Sequence, residues 1–556
     1  PNLEFKFICA NSLIDLDHNS ETPLGGKDHD ALAEELRTIR DAYFNTESLN
    51  KKKSLREKYN KLINEQEGLF GESKRSKQLK TYRPFDNEWS AGFFNPEFMF
   101  GKEKNEKFDV VIGNPPYVSL EKVKENKEEY KKVYTVIASR GDLYTLFYER
   151  GLDLTKKNIG LLCFITSNKW MRAGYGEKLR DYFARKNPLC LLDFGGFKVF
   201  ESATVDTNIL LIGNGKNRNA LQACHFQNDY RRGESLKEYC ADRFVELKNL
   251  SSDTWFVGNA EELALKAKIE YIGKPLKEWN VKINYGIKTG LNKAFIIDQT
   301  KRDELVIKDP KSEEIIKPIL RGRDIKRYGY DWAGLYVIVA KFDSYKNLPE
   351  KYPAVYEHLS KYESQLKARG QCTYSRAGKD SAKSDYDGQH HWLELDNNPN
   401  DDFFEKLEKE KVVWAETIKI YSSGPRNYPR FCFDIYGEYL DKTTFFMTGG
   451  NLRYLLGILN SRLSEYLLDI AYSNNLGGGS RGLQKNILES FPIPEVSEDN
   501  KVIVLKVEDL VNEILSLKQK NLKAEIKKIE DEIDQLVYQL YGLTDEEIKI
   551  VEDNAK

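Results

Sequence analysis

The chain has no excess of charge of either sign. Its 86 basic and 87 acidic residues give a formal charge of −1 over 556 residues. Net charge therefore neither announces nor excludes a nucleic-acid partner, because phosphate contact needs only a local basic face. The seven cysteines are scattered with no CxxC pair, which argues against a zinc ribbon and for a reduced, cytosolic setting. No apolar run is long enough to span a bilayer, so no membrane partner is expected. The opening "PNLEFKFICANSLIDLD" carries no basic and then apolar leader. There is no P-loop and no internal repeat. What remains is an ordinary globular composition, 40% hydrophobic and 31% charged, at a length that can bury two or three cores.

Leu3 to Cys9 reads as a strand entered mid-domain, so the chain is expected to be a fragment of a longer polypeptide. Residues 27–81 read as a charged helical insertion, with Lys51, Lys52, Lys53, Arg56 and Lys58 on a solvated helix face. The strands "IGLLCFIT", "LCLLDFG" and "TNILLIGN" alternate with the helical stretches "GDLYTLFYERGLDLTKK" and "YGEKLRDYFARK". That alternation implies a parallel α/β sheet with right-handed crossovers, whose ligands sit at the carboxyl ends of the strands. From about residue 246 short strands and helices mix, as in a second, α+β domain. Beyond "FPIPE" a helical tail over 496–556 carries one apolar stripe, Ile526, Ile529, Ile533, Leu536 and Leu540, read as packing. Gly542 should end that helix, and Thr544 with Glu547 reads as a capping box for the next.

The stretch "FDVVIGNPPYV" at 108–118 carries the chemistry. Phe108 to Ile112 reads as a short buried strand closed by a glycine. Pro115 and Pro116 then fix two successive φ angles and remove two backbone donors. Each also biases the residue before it towards an extended conformation. The product is a stiff loop of acceptors ending in an aromatic ring, suited to a planar guest that donates hydrogen bonds.

With "RPFDNEW" upstream and "GDLYTLFYERGL…GLLCFITSNKW" downstream, this stretch resembles the gamma-class amino-adenine DNA methyltransferases, in particular the methylase part of type IIG restriction-modification enzymes. The resemblance implies a class I, Rossmann-like methyltransferase sheet over residues 1–245, incomplete at its amino terminus because the family's glycine-containing cofactor motif is not found. It implies S-adenosylmethionine as methyl donor and no metal. Asn114 and the carbonyl of Pro115 would hold the two amine protons of an adenine flipped out of duplex DNA, with Pro116 stiffening the loop and Tyr117 stacking on the base. "DFGGFKVFESATVDTNILLI" resembles the later motif whose aromatic, here Phe200, covers the other face. "ANSL" is similar to the segment that contacts the cofactor adenine, which points to Asn11.

The region 283–494, with "INYGIKTGLNKAF", "LRGRDIKR" and "LGGGSRGLQKNILESFPIP", looks like a TaqI-like specificity domain, placed at 246–495. Its candidates for contact with double-stranded DNA are Lys288, Asn292, Lys293, Arg321, Arg323, Arg327, Arg481 and Lys485, since arginine reads guanine and lysine meets phosphate. Gly477, Gly479 and Gly482 satisfy G-x-G-x-x-G but follow a helical stretch, so they read as a flexible loop and not a dinucleotide site. His390 and His391 lack the further ligands of a metal site and read as structural. The resemblance places a nuclease partner in a preceding segment and the protein in a bacterial or archaeal cytoplasm. Two rivals stand beside the adenine methyltransferase: a DNA-binding fragment lacking the cofactor motif, and a methyltransferase of protein glutamine, whose primary amide presents the same two donors. The long second domain speaks against the latter.

Overall fold

Six strands form the sheet of the first compact unit, Pro1–Asn259: β1 Val110–Gly113, β2 Leu161–Ser167, β3 Asn187–Asp193, β4 Thr207–Gly213, β5 Leu221–His225 and β6 Val245–Leu247. The computed structural model describes residues 6–17, 29–64, 74–86, 89–103, 105–139, 141–201, 205–227, 229–373, 389–396, 400–420, 426–472, 474–477 and 479–554. The strand order is β1-β2-β4-β3-β5-β6.

The sheet is mixed, not all parallel. β1 runs parallel to β2 and β3 to β5, but β4 is antiparallel to both neighbours and β6 to β5. The reason lies in the connection from β3 to β4, which has no helix among its described residues. A chain that returns without a crossover reverses direction.

One face of the interior strands is covered: Leu162, Phe164, Leu191, Leu210 and Ile212 are buried, while Cys163, Cys190 and Leu211 on the other face are half-buried. The helix Tyr144–Asp153, α1, buries Tyr144, Leu146, Tyr148 and Leu152, and Gly151 lets it approach the sheet, since a Cβ there would stand 2.6 Å from Leu162 Cδ1. α2, Glu177–Arg185, buries Leu179 and Phe183.

β1 corrects the expectation of a buried strand. It pairs with β2 alone among the described strands, and Val110 and Ile112 are 49% and 77% exposed. An apolar run that lies at an edge has the same letters as one in the middle. The strand expected at Leu3–Cys9 is also corrected: residues 1–5 lie outside the described ones, Lys6–Cys9 are not strand, and Ala10 makes a single bridge to Ala91. The helical insertion holds helices His29–Phe44, Leu49–Asn64 and Lys74–Lys80. Leu32, Leu36, Ile39, Tyr43, Tyr59 and Leu62 share one core with Leu16, Ala91, Phe93, Phe98 and Met99 from outside it, while residues 27–28 and 65–73 lie outside the described ones.

The boundary expected at 245–246 falls inside β6, whose ladder with β5 carries the first unit on to Asn259. The second unit, Ala260–Lys556, contains two four-stranded sheets. One joins Ile296–Asp298, Leu335–Ile338, Ile316–Leu320 and Tyr439–Leu440; the other joins Val281–Tyr285, Thr444–Gly449, Lys411–Ala415 and Phe431–Asp434.

The tail helices α3 Lys501–Lys520, α4 Lys527–Leu540 and α5 Asp545–Asn554 belong to this unit. α3 crosses the helix Leu452–Leu459 so closely that a Cβ on Gly457 would lie 2.7 Å from Val507. α4 buries Ile533, Leu536 and Val537, so the apolar stripe packs. Gly542, at φ +56°, ends α4, and Thr544 and Glu547 exchange the two bonds of a capping box. The glycine run at 477–482 is not simply a loop: Asn474–Gly477 and Ser480–Gly482 pair antiparallel, with Thr417–Lys419 beyond.

Candidate functional site

The carboxyl ends of β1, β2, β3 and β5 lie at one end of the first sheet, because β2 and β3 both run antiparallel to β4. Two loops leave that end. Residues 114–118 follow β1, and residues 194–201 follow β3.

In the first loop Pro115 is buried, Tyr117 is half-buried, and Asn114 and Pro116 are exposed. Among the described residues no group hydrogen-bonds the Asn114 side chain, so its amide oxygen is available to a guest. The loop's far end is pinned: Leu143 N donates to Val118 O at 2.7 Å and Leu120 N to Gly141 O at 2.8 Å. Tyr117 donates its hydroxyl to Ile165 O at 3.3 Å, and burial pushes that hydroxyl up to about 12, so it stays neutral. Its ring meets the edge of Tyr144 at 6.3 Å. Tyr144 in turn touches the Tyr175 hydroxyl at 2.9 Å, which donates to Asp142 at 3.0 Å. This relay fixes the plane of Tyr117 through groups buried behind it.

The second loop carries Phe200, whose ring centroid lies 6.4 Å from that of Tyr117 at an interplanar angle of 59°. A planar guest between two parallel rings needs roughly 7 Å, two van der Waals contacts. As they stand, tilted and closer than that, the two rings frame a slot without holding it open. Phe194 and Phe197, which begin the loop, sit in a cluster with Phe226, Tyr230 and Tyr239. Around Phe200 itself, Arg232 donates to the carbonyls of Lys198 at 3.0 Å and Val199 at 3.3 Å and pairs with Glu201. Replacing Arg232 by alanine should free this tip. We expect about a tenfold rise in KM for the ring-stacked guest with a smaller change in kcat, from the loss of two or three partly exposed hydrogen bonds.

Asp193, at the end of β3, is 1% exposed. It accepts from Asn168 at 2.8 Å and from the Gly195 amide at 3.2 Å, and lies 3.1 Å from His225 Nδ1. Burial pushes its pKa up, but the His225 imidazole, with Arg172 and the Asn168 amide, holds it at about 2. A carboxyl depressed in the folded state stabilises above its unfolded pKa near 3.9, and that stabilisation is lost as the pH falls towards 2. The wild type should therefore lose roughly 1–3 kcal/mol more between pH 4 and 2 than Asp193→Asn, read by urea unfolding at each pH.

Asn11 accepts the Leu13 amide on Oδ1 at 3.2 Å, and its Nδ2 has no partner among the described residues.

The candidates in the second unit divide. Lys288, and Asn292 and Lys293 at the start of the short helix Asn292–Phe295, are exposed, Lys288 over the Tyr285 ring and Asn292 accepting the Thr289 hydroxyl. Arg323 is exposed, and its guanidinium has no partner among the described residues. Both segments lie against the 439–443 turn, through the Ile287–Asp441 bridge and the bond from Gly322 N to Thr443 Oγ1. Lys485 is exposed beside Glu489.

Two arginines are corrected as buried, and a third is paired locally. Arg327 is 8% exposed and satisfied by Glu530, Pro429 O and Asn460 O. Arg481 is 9% exposed and held by Asp469. Arg321 forks onto its own neighbour Asp324 at 3.0 and 2.8 Å. Each faces a carboxylate that local spacing does not reveal, or reveals only at i+3. Asp142, Tyr144, Tyr175, Asp193, His225 and Arg232 were not anticipated. The first two lie in "GDLY" and Asp193 in "DFGG", both quoted as motif context, whereas Arg232 gave no signal.

Known proteins resemble both parts of the chain. Residues 8–200 match the Eco57I restriction-modification methylase family and residues 317–493 the TaqI-like C-terminal specificity domain. The chain joins an Eco57I-type methylase domain to a TaqI-like specificity domain. It is 24% identical over 511 residues to the type II restriction enzyme and methyltransferase RM.Eco57I of Escherichia coli, a match covering 81% of this chain and 48% of that protein. The chain thus spans about half the length of that relative. It is 22% identical over 497 residues to the type II methyltransferase M.BstVI of Geobacillus stearothermophilus, covering 84% and 79%. Among solved structures, the type IIL restriction-modification enzyme MmeI in complex with DNA shares the fold at a TM-score of 0.51 and 13% identity, over 80% of this chain and 56% of that one. The first slot and both pinned loops lie in or beside the methylase domain; Arg321 and Arg323 lie in the specificity domain.

Proposed function

We propose that the chain is a site-specific DNA methyltransferase that moves a methyl group from S-adenosylmethionine to the exocyclic amine of a flipped-out adenine, within a restriction-modification system. The observation that carries this is the uncommitted Asn114 amide on the loop whose Tyr117 ring neighbours that of Phe200. The adenine amine is a poor nucleophile, because its lone pair is delocalised into the ring. The Asn114 oxygen and the Pro115 carbonyl accept its two protons and favour a pyramidal nitrogen, while the rings hold the base against rotation. Most of the acceleration is then alignment and desolvation. Bound S-adenosylmethionine supplies an electrophilic methyl group, and Asn11 would contribute a donor to its adenine. The methylated amine releases its proton to solvent, so neither a general base nor a metal is required.

A class I sheet continued beyond β1 is part of this reading, supported by the exposed Val110 and Ile112 side chains at that edge. The names of RM.Eco57I and M.BstVI support the reaction type. Residues 286–293 and 321–323 would choose the sequence.

The test is incubation with methyl-tritiated S-adenosylmethionine and mixed-sequence duplex DNA, followed by digestion to nucleosides. Labelled N6-methyl-2′-deoxyadenosine supports the reading, and label in deoxycytidine would move the target base. DNA binding without any transfer would favour a DNA-binding module.

A further inference from the structure

The paired histidines of "GQHHW" belong to an arrangement that methyl transfer does not use. In the second unit, His390 is 1% exposed. Its Nε2 lies 2.9 Å from Asp396 Oδ1, and its Nδ1 lies 3.6 Å from the Cys372 sulfur and 3.2 Å from the His391 carbonyl. Carboxylate and carbonyl are both acceptors, so each ring nitrogen is asked to carry a proton. A doubly protonated ring then turns a positive N–H towards the sulfur. Burial opposes the imidazolium, yet Asp396, Cys372 and the His391 carbonyl outweigh it and bring its pKa up to about 9.

The frame around the sulfur is rigid. Arg369, 7% exposed, donates to the carbonyls of Thr289, Leu366, Trp392 and Glu394, which ties the short helix of Cys372 to the segment bearing His390. Gly290, at φ +68°, leaves the room this requires, because a Cβ there would meet Arg369 Cδ at 2.6 Å. Nucleophile, base and orienting carboxylate thus stand in hydrogen-bonding sequence, the arrangement that activates a thiol. Cys372 is half-buried, open to a small reagent.

We propose that Cys372, with His390 as its base and Asp396 orienting that base, is a peroxide-reactive thiol in the second unit. The sulfur, its proton held by His390, attacks one oxygen of hydrogen peroxide. The S–O bond forms as the O–O bond breaks, and the leaving hydroxide takes the imidazolium proton and departs as water. Sulfur is oxidised by two electrons to sulfenic acid and the peroxide is reduced. The ring is left neutral, and Asp396 keeps it in place.

The chain supplies its own controls. Cys163 and Cys190 are also half-buried, Cys9 is exposed, and burial pushes the Cys190 thiol up to about 11. The full chain is treated with a small excess of hydrogen peroxide at pH 7 in the presence of dimedone, and each cysteine is quantified by peptide mass spectrometry. We expect Cys372 to be trapped at least about tenfold faster than Cys9, Cys163 and Cys190, in line with thiolate-controlled reactivity. Asp396→Asn and His390→Gln should each slow it by about tenfold while circular dichroism stays unchanged. Labelling of Cys372 no faster than Cys9 in the wild type would overturn the proposal without recourse to a variant. So would an undiminished rate in a folded His390→Gln protein.

Discussion

Asn114→Ala will lower kcat for adenine methylation by about 10²–10³-fold or more while changing the affinity for duplex DNA less than threefold, since one misaligned or missing preorganised contact at a reacting atom costs about that much. The asymmetry follows from position. Asn114 is exposed at the carboxyl end of β1 and bonds no described residue, so its removal takes nothing from the fold. It faces the guest only once a base has left the duplex, so ground-state association with DNA proceeds without it. The base should still be captured between Tyr117 and Phe200, which 2-aminopurine at the target position would report as bright fluorescence in both proteins. Tyr117→Ala gives the opposite pattern: fluorescence is lost and KM rises, because stacking contributes about 1–3 kcal/mol per base. Asn114→Asp separates charge from shape, since it keeps the acceptor and should retain part of the rate. If Asn114→Ala methylates at the wild-type rate, the loop does not orient the amine, and the assignment of the reaction to this end of the sheet falls with it.

Which parts of this site were legible follows from the range of the interactions involved. The stiff loop was readable because two prolines act on their own φ angles and on the residue before each. β2, β3 and β4 were readable as short apolar runs. The edge position of β1 was not, because "VVIG" does not say how many neighbours it has. The direction of β4 was not, because direction is set by the connection. Phe200 came from a resemblance, whereas Arg232, which grips the two carbonyls before it and the Glu201 carboxylate after it, comes from 31–34 residues away in sequence. Arginines in the second unit show the same limit. Arg323 and Arg327 look alike in "LRGRDIKR", yet one is exposed and the other reaches Glu530 across a sequence separation of 203. Spacing reads helix faces and turns; it does not read a partner brought in by tertiary packing.

That contrast gives the second large effect. Arg327→Ala will destabilise the second unit by about 3–5 kcal/mol, because it leaves the Glu530 carboxylate buried without its counter-charge and orphans the carbonyls of Pro429 and Asn460. Glu530 lies on α4, next to Asp534, which pairs with Arg426 at 3.0 Å. Burial pushes the Asp534 carboxyl up to about 6, against the pull of Arg426. One lost arginine therefore loosens the tail helix from the specificity domain. Thermal unfolding should shift down by about 5–15 °C, and removing both charges in Arg327→Met with Glu530→Leu should recover most of the loss, since a buried pair replaced by apolar groups is often near neutral. Arg323→Ala is the counterpart. It should leave the unfolding free energy within about 0.5 kcal/mol of wild type, yet weaken DNA binding and reduce the slope of log affinity against log salt by about one if it meets a phosphate, or relax the sequence preference at one position if it reads a base. A normal melting temperature for Arg327→Ala together with a lost salt slope would return that residue to the DNA surface and overturn the packing of α4 against the specificity domain.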